Sequence, residues 1–113
     1  MRFTRSLGNN LNYRRVYQQG RSRADRLLVL YLVENGGEEN HLGISVSKKV
    51  GNSVVRHRVT RLIRESYRLH EERFRRGLDL AFIARAGARE ASFHEIEDAV
   101  LHLSRISHIL LDK

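Results

Sequence analysis

The chain has no cysteine, no proline, no tryptophan and a single methionine in 113 residues. Without cysteine, disulfides and thiolate metal sites are excluded, so a zinc site would need histidine and carboxylate alone. Without proline, every turn must be made by Gly, Asn, Asp or Ser. No run of about 18 apolar residues is present, so no membrane-spanning helix is available. Residues 1–17 hold no apolar stretch that could form a signal-peptide core. These absences predict a cytoplasmic protein that stays out of the membrane. Hydrophobic residues make up 41% of the chain, enough for one modest core, and no linker, internal repeat or low-complexity segment interrupts it. A single domain over residues 1–113 is therefore expected.

Acidic residues are also scarce. There are 13 Asp and Glu against 21 Lys and Arg, a formal charge of +8. Such a balance points to a polyanionic partner: RNA, DNA or an anionic membrane surface. Eighteen of the basic residues are arginine, whose planar fork matches phosphate and can stack on bases. The charge is unevenly placed. Residues 1–26 carry a net +6 and residues 48–76 a net +7, whereas 27–47 and 77–113 are net acidic. A fold that joins the two basic blocks would make one basic surface.

Turn and period signals give a coarse map. Asn10 or Asn12 can cap a short helix that runs to about Gln19 and ends at Gly20, with Tyr13, Val16 and Tyr17 on one face. Residues 21–33 read as extended and finish in an apolar run. After the turn at 35–40, residues 41–47 alternate Leu42, Ile44 and Val46 with small residues, a half-buried strand and the expected hairpin partner of the first. A long helix is expected from about Ser53 to Arg75, ended by Gly77. Leu78 to Ala84 is a further strand. Ser92 with Glu95 three residues on has capping-box spacing. It opens a last helix whose apolar positions include Phe93, Ile96, Ala99, Val100, Leu103, Ile106 and Leu110.

The long helix carries the strongest signal. At about 100° per residue, Val55, Val59, Leu62, Ile63 and Ser66 fall on one side. Arg58, Arg61, Arg64 and Arg68 fall on the other, with Arg56 at the edge of the apolar face. Like charges three or four residues apart repel by a few tenths of a kcal/mol each, a cost that a bound anion relieves. Just ahead, Ser45-Val46-Ser47-Lys48-Lys49 places two ammoniums beside a helix N-terminus, an arrangement suited to phosphate, although it is not a P-loop. Tyr13, Tyr17 and Tyr31 can stack on unpaired bases; period alone slightly favours Tyr13 and Tyr17 as the core face of a short helix.

Catalytic patterns do not emerge. His94-Glu95 lacks the second histidine of a helical zinc-protease motif. His102 and His108 share no helix face well, and His57 sits among arginines. Asp79, Glu90, Glu95, Glu97 and Asp98 are scattered or outward-facing and form no close carboxylate set of the kind two-metal nucleases use.

Residues 43–65 (GISVSKKVGNSVVRHRVTRLIRE) closely resemble the signature of the bacterial ribonuclease P protein subunit. The match extends to Tyr13-Arg-Arg-Val-Tyr17, to Gly20, to Leu-Val-Leu-Tyr at 28–31 and to Phe-Ile-Ala-Arg at 82–85. The resemblance implies an α/β fold in α-β-β-β-α-β-α order: a central, mostly antiparallel four-stranded sheet, three helices and a left-handed crossover through the long helix, against the usual hand. It implies a partner RNA that removes the 5′ leader of precursor tRNA, with Mg2+ acting mainly through that RNA and no organic cofactor. The protein would be a non-catalytic accessory subunit, one copy per RNA.

By position, the resemblance sets Arg56, Arg58, Arg61 and Arg64 against the catalytic RNA, with Lys48, Lys49, Asn52, His57 and Arg68 beside them. It lines a leader cleft with Tyr13, Tyr17, Tyr31, Ser45, Ser47 and Lys49. Two departures stand out: His57 replaces the family's usual Asn between two arginines, and Thr60 stands where a basic residue is common. Two other readings remain open on composition alone, another RNA-binding module such as a ribosomal protein and a self-sufficient nuclease. The 43–65 motif argues against the first and the missing carboxylate set against the second.

Overall fold

The computed structural model describes residues 1–111. The elements run β1 (Thr4–Ser6), α1 (Asn10–Gln19), β2 (Arg21–Ala24), β3 (Leu28–Glu34), β4 (Asn40–Ser45), α2 (Ser53–Leu69), β5 (Leu78–Ala84) and α3 (Phe93–Ile106), with short 3-10 turns at Glu71–Arg73 and Ala86–Glu90. The sheet has five strands in the order β1-β4-β5-β3-β2. β1–β4 and β4–β5 are parallel, and β5–β3 and β3–β2 are antiparallel.

This corrects the expectation of a mostly antiparallel sheet of four strands. The strand that pattern reading missed is β1. Three polar residues, Thr4-Arg5-Ser6, carry no strand signal; tertiary bonds hold them in place. Tyr67 is fully buried, and its hydroxyl is satisfied by Thr4 Oγ1 at 2.8 Å and by the Asn40 amide at 3.1 Å. Glu71, also buried, accepts from the backbone N–H groups of Arg2 at 2.9 Å and Phe3 at 3.1 Å.

The hairpin expected between 21–33 and 41–47 does not form. Residues 21–33 are themselves a hairpin, folded at Asp25, whose Oδ1 accepts from Leu27 N and Leu28 N, both at 2.8 Å. β5 then lies between β3 and β4. It is the most completely buried strand, covered on nearly every residue, which demands a central place in the sheet.

The faces follow from strand alternation. Leu28, Leu30 and Leu32 of β3, Leu42 of β4, and Leu78, Leu80 and Phe82 of β5 turn to one side. There they form the main core with Val59, Ile63 and Tyr67 of α2 and Ile96, Val100 and Leu103 of α3. Helix α1 occupies the opposite face, where Val16 packs with Leu7 and Ala81.

Helix ends also differ in detail. Asn9 caps α1, accepting from Asn12 N at 3.1 Å, one residue before the expected start. α2 ends at Leu69, not Arg75. Phe74 turns inward, its ring 4.6 Å from that of Tyr67, and pairs with Leu110, contacts that a continued helix would forbid. Gly77 does adopt a left-handed φ of +87°, but it leads into β5. The capping box of Ser92 and Glu95 forms as expected.

Candidate nucleic-acid interface

Two surfaces meet the requirements for binding a polyanion. The first is the groove between α1 and the sheet. Strand register places Ser22, Tyr31, Ala81 and Gly43 in one row on the α1 side and Ala24, Val29, Ile83 and Ser45 in the next. The small residues leave room for the rings of α1. A Cβ on Gly43 would lie 2.5 Å from the Tyr13 hydroxyl. Tyr17 stands edge-on to Tyr31 at 5.0 Å and 6.1 Å from Tyr13. Val16, not the tyrosines, is the buried residue of α1, whereas Tyr17 is 37% exposed. Burial, and after it the neighbouring Tyr13 and Tyr31, push the Tyr17 phenol above its ordinary value, so it stays neutral. Val29, Ile83 and Ser45 are half-buried and open to this groove, while Ser47 and Lys49 are exposed in the turn that follows β4.

An ion cluster at one end of the groove ties α1 down. Asp79 of β5 is buried and pairs with Arg15 of α1. The Asn35 amide donates to its Oδ1 at 2.9 Å, and His41 Nδ1 lies 2.7 Å from the same oxygen. A carboxylate only accepts, so Nδ1 carries the proton. Burial pushes the Asp79 carboxyl up, but the hydrogen bonds from Asn35, His41 and Arg15 and the charge of His41 outweigh it and hold it below its ordinary value. Pattern reading missed this cluster, since Asp79, Arg15, Asn35 and His41 come from four separate segments and no spacing links them.

The second surface is the outer side of α2. His57, Arg61, Arg64 and Arg68 are exposed in one row. Arg61 and Arg64 make no hydrogen bond or ion pair among the described residues, whereas Arg68 is bonded to Glu65 at 2.6 Å. Arg58, expected on the open face, is half-buried and donates to the main-chain oxygens of Ala91 at 2.7 Å and Arg89 at 3.5 Å. The helix wheel could not show this, because the acceptors belong to the segment before α3. Arg56 is half-buried too, with a buried Nε–H that has no acceptor. Asn52 caps α2, accepting from Val55 N at 3.0 Å. Lys48 and Lys49 are exposed beside it.

The two surfaces adjoin. Arg5, Tyr13, Ile44 and Arg64 line one depression of about 280 Å3, which is where the two basic blocks of the chain meet. His70 and His94 both contact Glu97, but among the described residues no three His, Cys, Asp or Glu side chains form a set that could hold a metal ion. No described helix is long and apolar enough to cross a membrane.

A small α/β domain with unpaired guanidiniums on one helix and an aromatic-walled groove beside it defines a protein of the nucleic-acid-binding class. Comparison with known proteins narrows this. The sequence model of the Ribonuclease P family matches residues 1–107, and the chain belongs to that family. The ribonuclease P protein component of Alkaliphilus metalliredigens is 51% identical over 105 residues, covering 93% of this chain and 95% of that protein. That of Clostridioides difficile is 40% identical over 107 residues, covering 94% of each. The solved RNase P protein of Staphylococcus aureus superposes with a TM-score of 0.86 at 34% identity, covering 94% of this chain and 96% of that one.

Proposed function

We infer that this chain is the protein subunit of ribonuclease P, the endoribonuclease that frees the 5′ ends of tRNA. It holds the catalytic RNA on the α2 face and the single-stranded 5′ leader of precursor tRNA in the α1 groove, one copy per RNA, in the cytoplasm. Cleavage belongs to the RNA, and Mg2+ acts mainly there. The supporting observation is the junction of the two surfaces at Tyr13 and Arg64, which lets one RNA strand pass from a stacking groove to a cationic ridge. Bases stack on Tyr13, Tyr17 and Tyr31, while Lys49, Ser45 and Ser47 serve the leader backbone. Arg61 and Arg64 take phosphates of the catalytic RNA. The left-handed crossover implied by the family resemblance would apply to the β4–α2–β5 connection.

The clean test of the α2 face is Arg61→Ala with Arg64→Ala, since neither residue supports the fold. The double variant should melt as the wild type does. The slope of log affinity against log salt for ribonuclease P RNA should shrink by roughly two, one for each phosphate that is no longer neutralised. In a cleavage assay on precursor tRNA at near-physiological salt, wild-type protein should stimulate the RNA and the variant should do so only at higher concentration. An unchanged slope and full stimulation would reduce the row to a solvated face.

A further inference from the structure

Arg58 is the member of the arginine face that the fold ties to main-chain oxygens. With one N–H of each terminal nitrogen on the Ala91 and Arg89 carbonyls, it is held in one orientation; besides its remaining N–H groups it offers charge and planar faces. Beside it stands a residue the fold does not use. Val54 is 75% exposed, while its neighbour Val55 packs against the core. Valine is a poorer helix former than the straight-chain polar residues, and methyl groups left in water bring no burial, so folding does not account for Val54. It precedes His57 by three residues and Arg58 by four, spacings that set all three side by side. With Ser53 and Arg61 they line an open depression of about 400 Å3.

We propose that this depression is a nucleobase subsite. It takes one unpaired base of the catalytic RNA against the Val54 methyls, the His57 ring and the Arg58 guanidinium, with Arg61 on an adjoining phosphate. The proposal rests on the reading of α2 as the face turned to that RNA. The rim argues for a base over an apolar peptide: its charged members are arginines and no carboxylate lines it. Beyond His57 and Arg61 the surface continues into a second depression of about 390 Å3 lined by Thr60 and Arg64, so cationic ground flanks the base on the side where a polyanionic backbone must run. Flat apolar ground for the base and cations for its phosphates are what recognition of unpaired RNA requires. The anchored Arg58 loses little freedom when a base settles on it.

Stacking and phosphate binding separate by their salt dependence. Val54→Ser changes an exposed side chain and no charge. It should melt like the wild type, weaken ribonuclease P RNA binding by about 5- to 10-fold and leave the salt slope unchanged. In base-specific chemical probing, one unpaired base shielded by the wild-type protein should become reactive with Val54→Ser and with His57→Ala. Wild-type affinity with the same shielding pattern would overturn the subsite, and so would a loss accompanied by a smaller slope. If Arg61→Ala with Arg64→Ala also binds normally, the reading of the α2 face fails and the subsite with it. If that double variant loses slope while Val54→Ser is silent, only the subsite fails.

Discussion

With the RNA partner present, Tyr17→Ala should weaken binding of precursor tRNA that carries several leader nucleotides by about 5- to 150-fold, the range of 1–3 kcal/mol for one stacked base. Binding of mature tRNA should hardly change, because no leader fills the groove. The loss should fade as the leader is trimmed to one or two nucleotides. Tyr17 is the aromatic residue best placed for this role: its ring is partly exposed and stands edge-on to Tyr31. Losing that ring pair costs about 1 kcal/mol beyond the ring's own partial burial, so the melting temperature of the free variant is measured alongside. Tyr17→Phe keeps the ring and should keep the leader effect. Equal losses for both substrates, together with a large drop in melting temperature, would make Tyr17 a core residue and end its assignment to the cleft.

Asp79→Asn should have the largest effect on stability. It puts an amide where three donors converge and leaves Arg15 and His41 without their anion. Breaking a buried pair by removing one partner costs about 3 kcal/mol or more, which lowers the melting temperature by on the order of 10 °C. The cost has a defined pH window. The Asp79 carboxyl is held below its ordinary value, so its contribution is fully present above the unfolded value of about 3.9 and is lost as pH falls through the lower folded value. Urea unfolding should therefore show the widest gap between variant and wild type near neutrality, closing below about pH 4. Arg15 is the link to function: once it is released, α1 is held less firmly and discrimination between precursor and mature tRNA should fall as well. Equal stability of the two proteins at neutral pH would show that the cluster does not secure α1.

Much of this molecule is readable from local rules because those rules act over one or two helical turns. The capping box at Ser92, the stop at Gly20, the apolar stripe of α2 and the basic row opposite it need only spacing and side-chain type. The absence of cysteine and of a long apolar run needs only composition. What local rules miss is set by partners distant in the chain. β1 exists because Tyr67 and Glu71 bury polar groups that need residues 2–4, more than 60 positions away. β5 separates β3 from β4 because its sides are apolar and a central strand must be covered on both faces. α2 stops at Leu69 because Phe74 is better buried than exposed on another turn.

The site divides the same way. The sequence determined the residue types: arginines along one helix face, three tyrosines able to stack, a basic total that calls for a polyanion, and a motif that places the chain in its family. Tertiary structure decided which of them are free to bind. It spent Arg58 on two carbonyls, Arg68 on Glu65, Asn52 on a helix cap and Arg15 on Asp79, and it left Arg61, Arg64 and Tyr17 exposed. The physical reason is that a charged or polar group is available to a ligand only if the fold does not already satisfy it, and the groups that satisfy it lie wherever the chain happens to return.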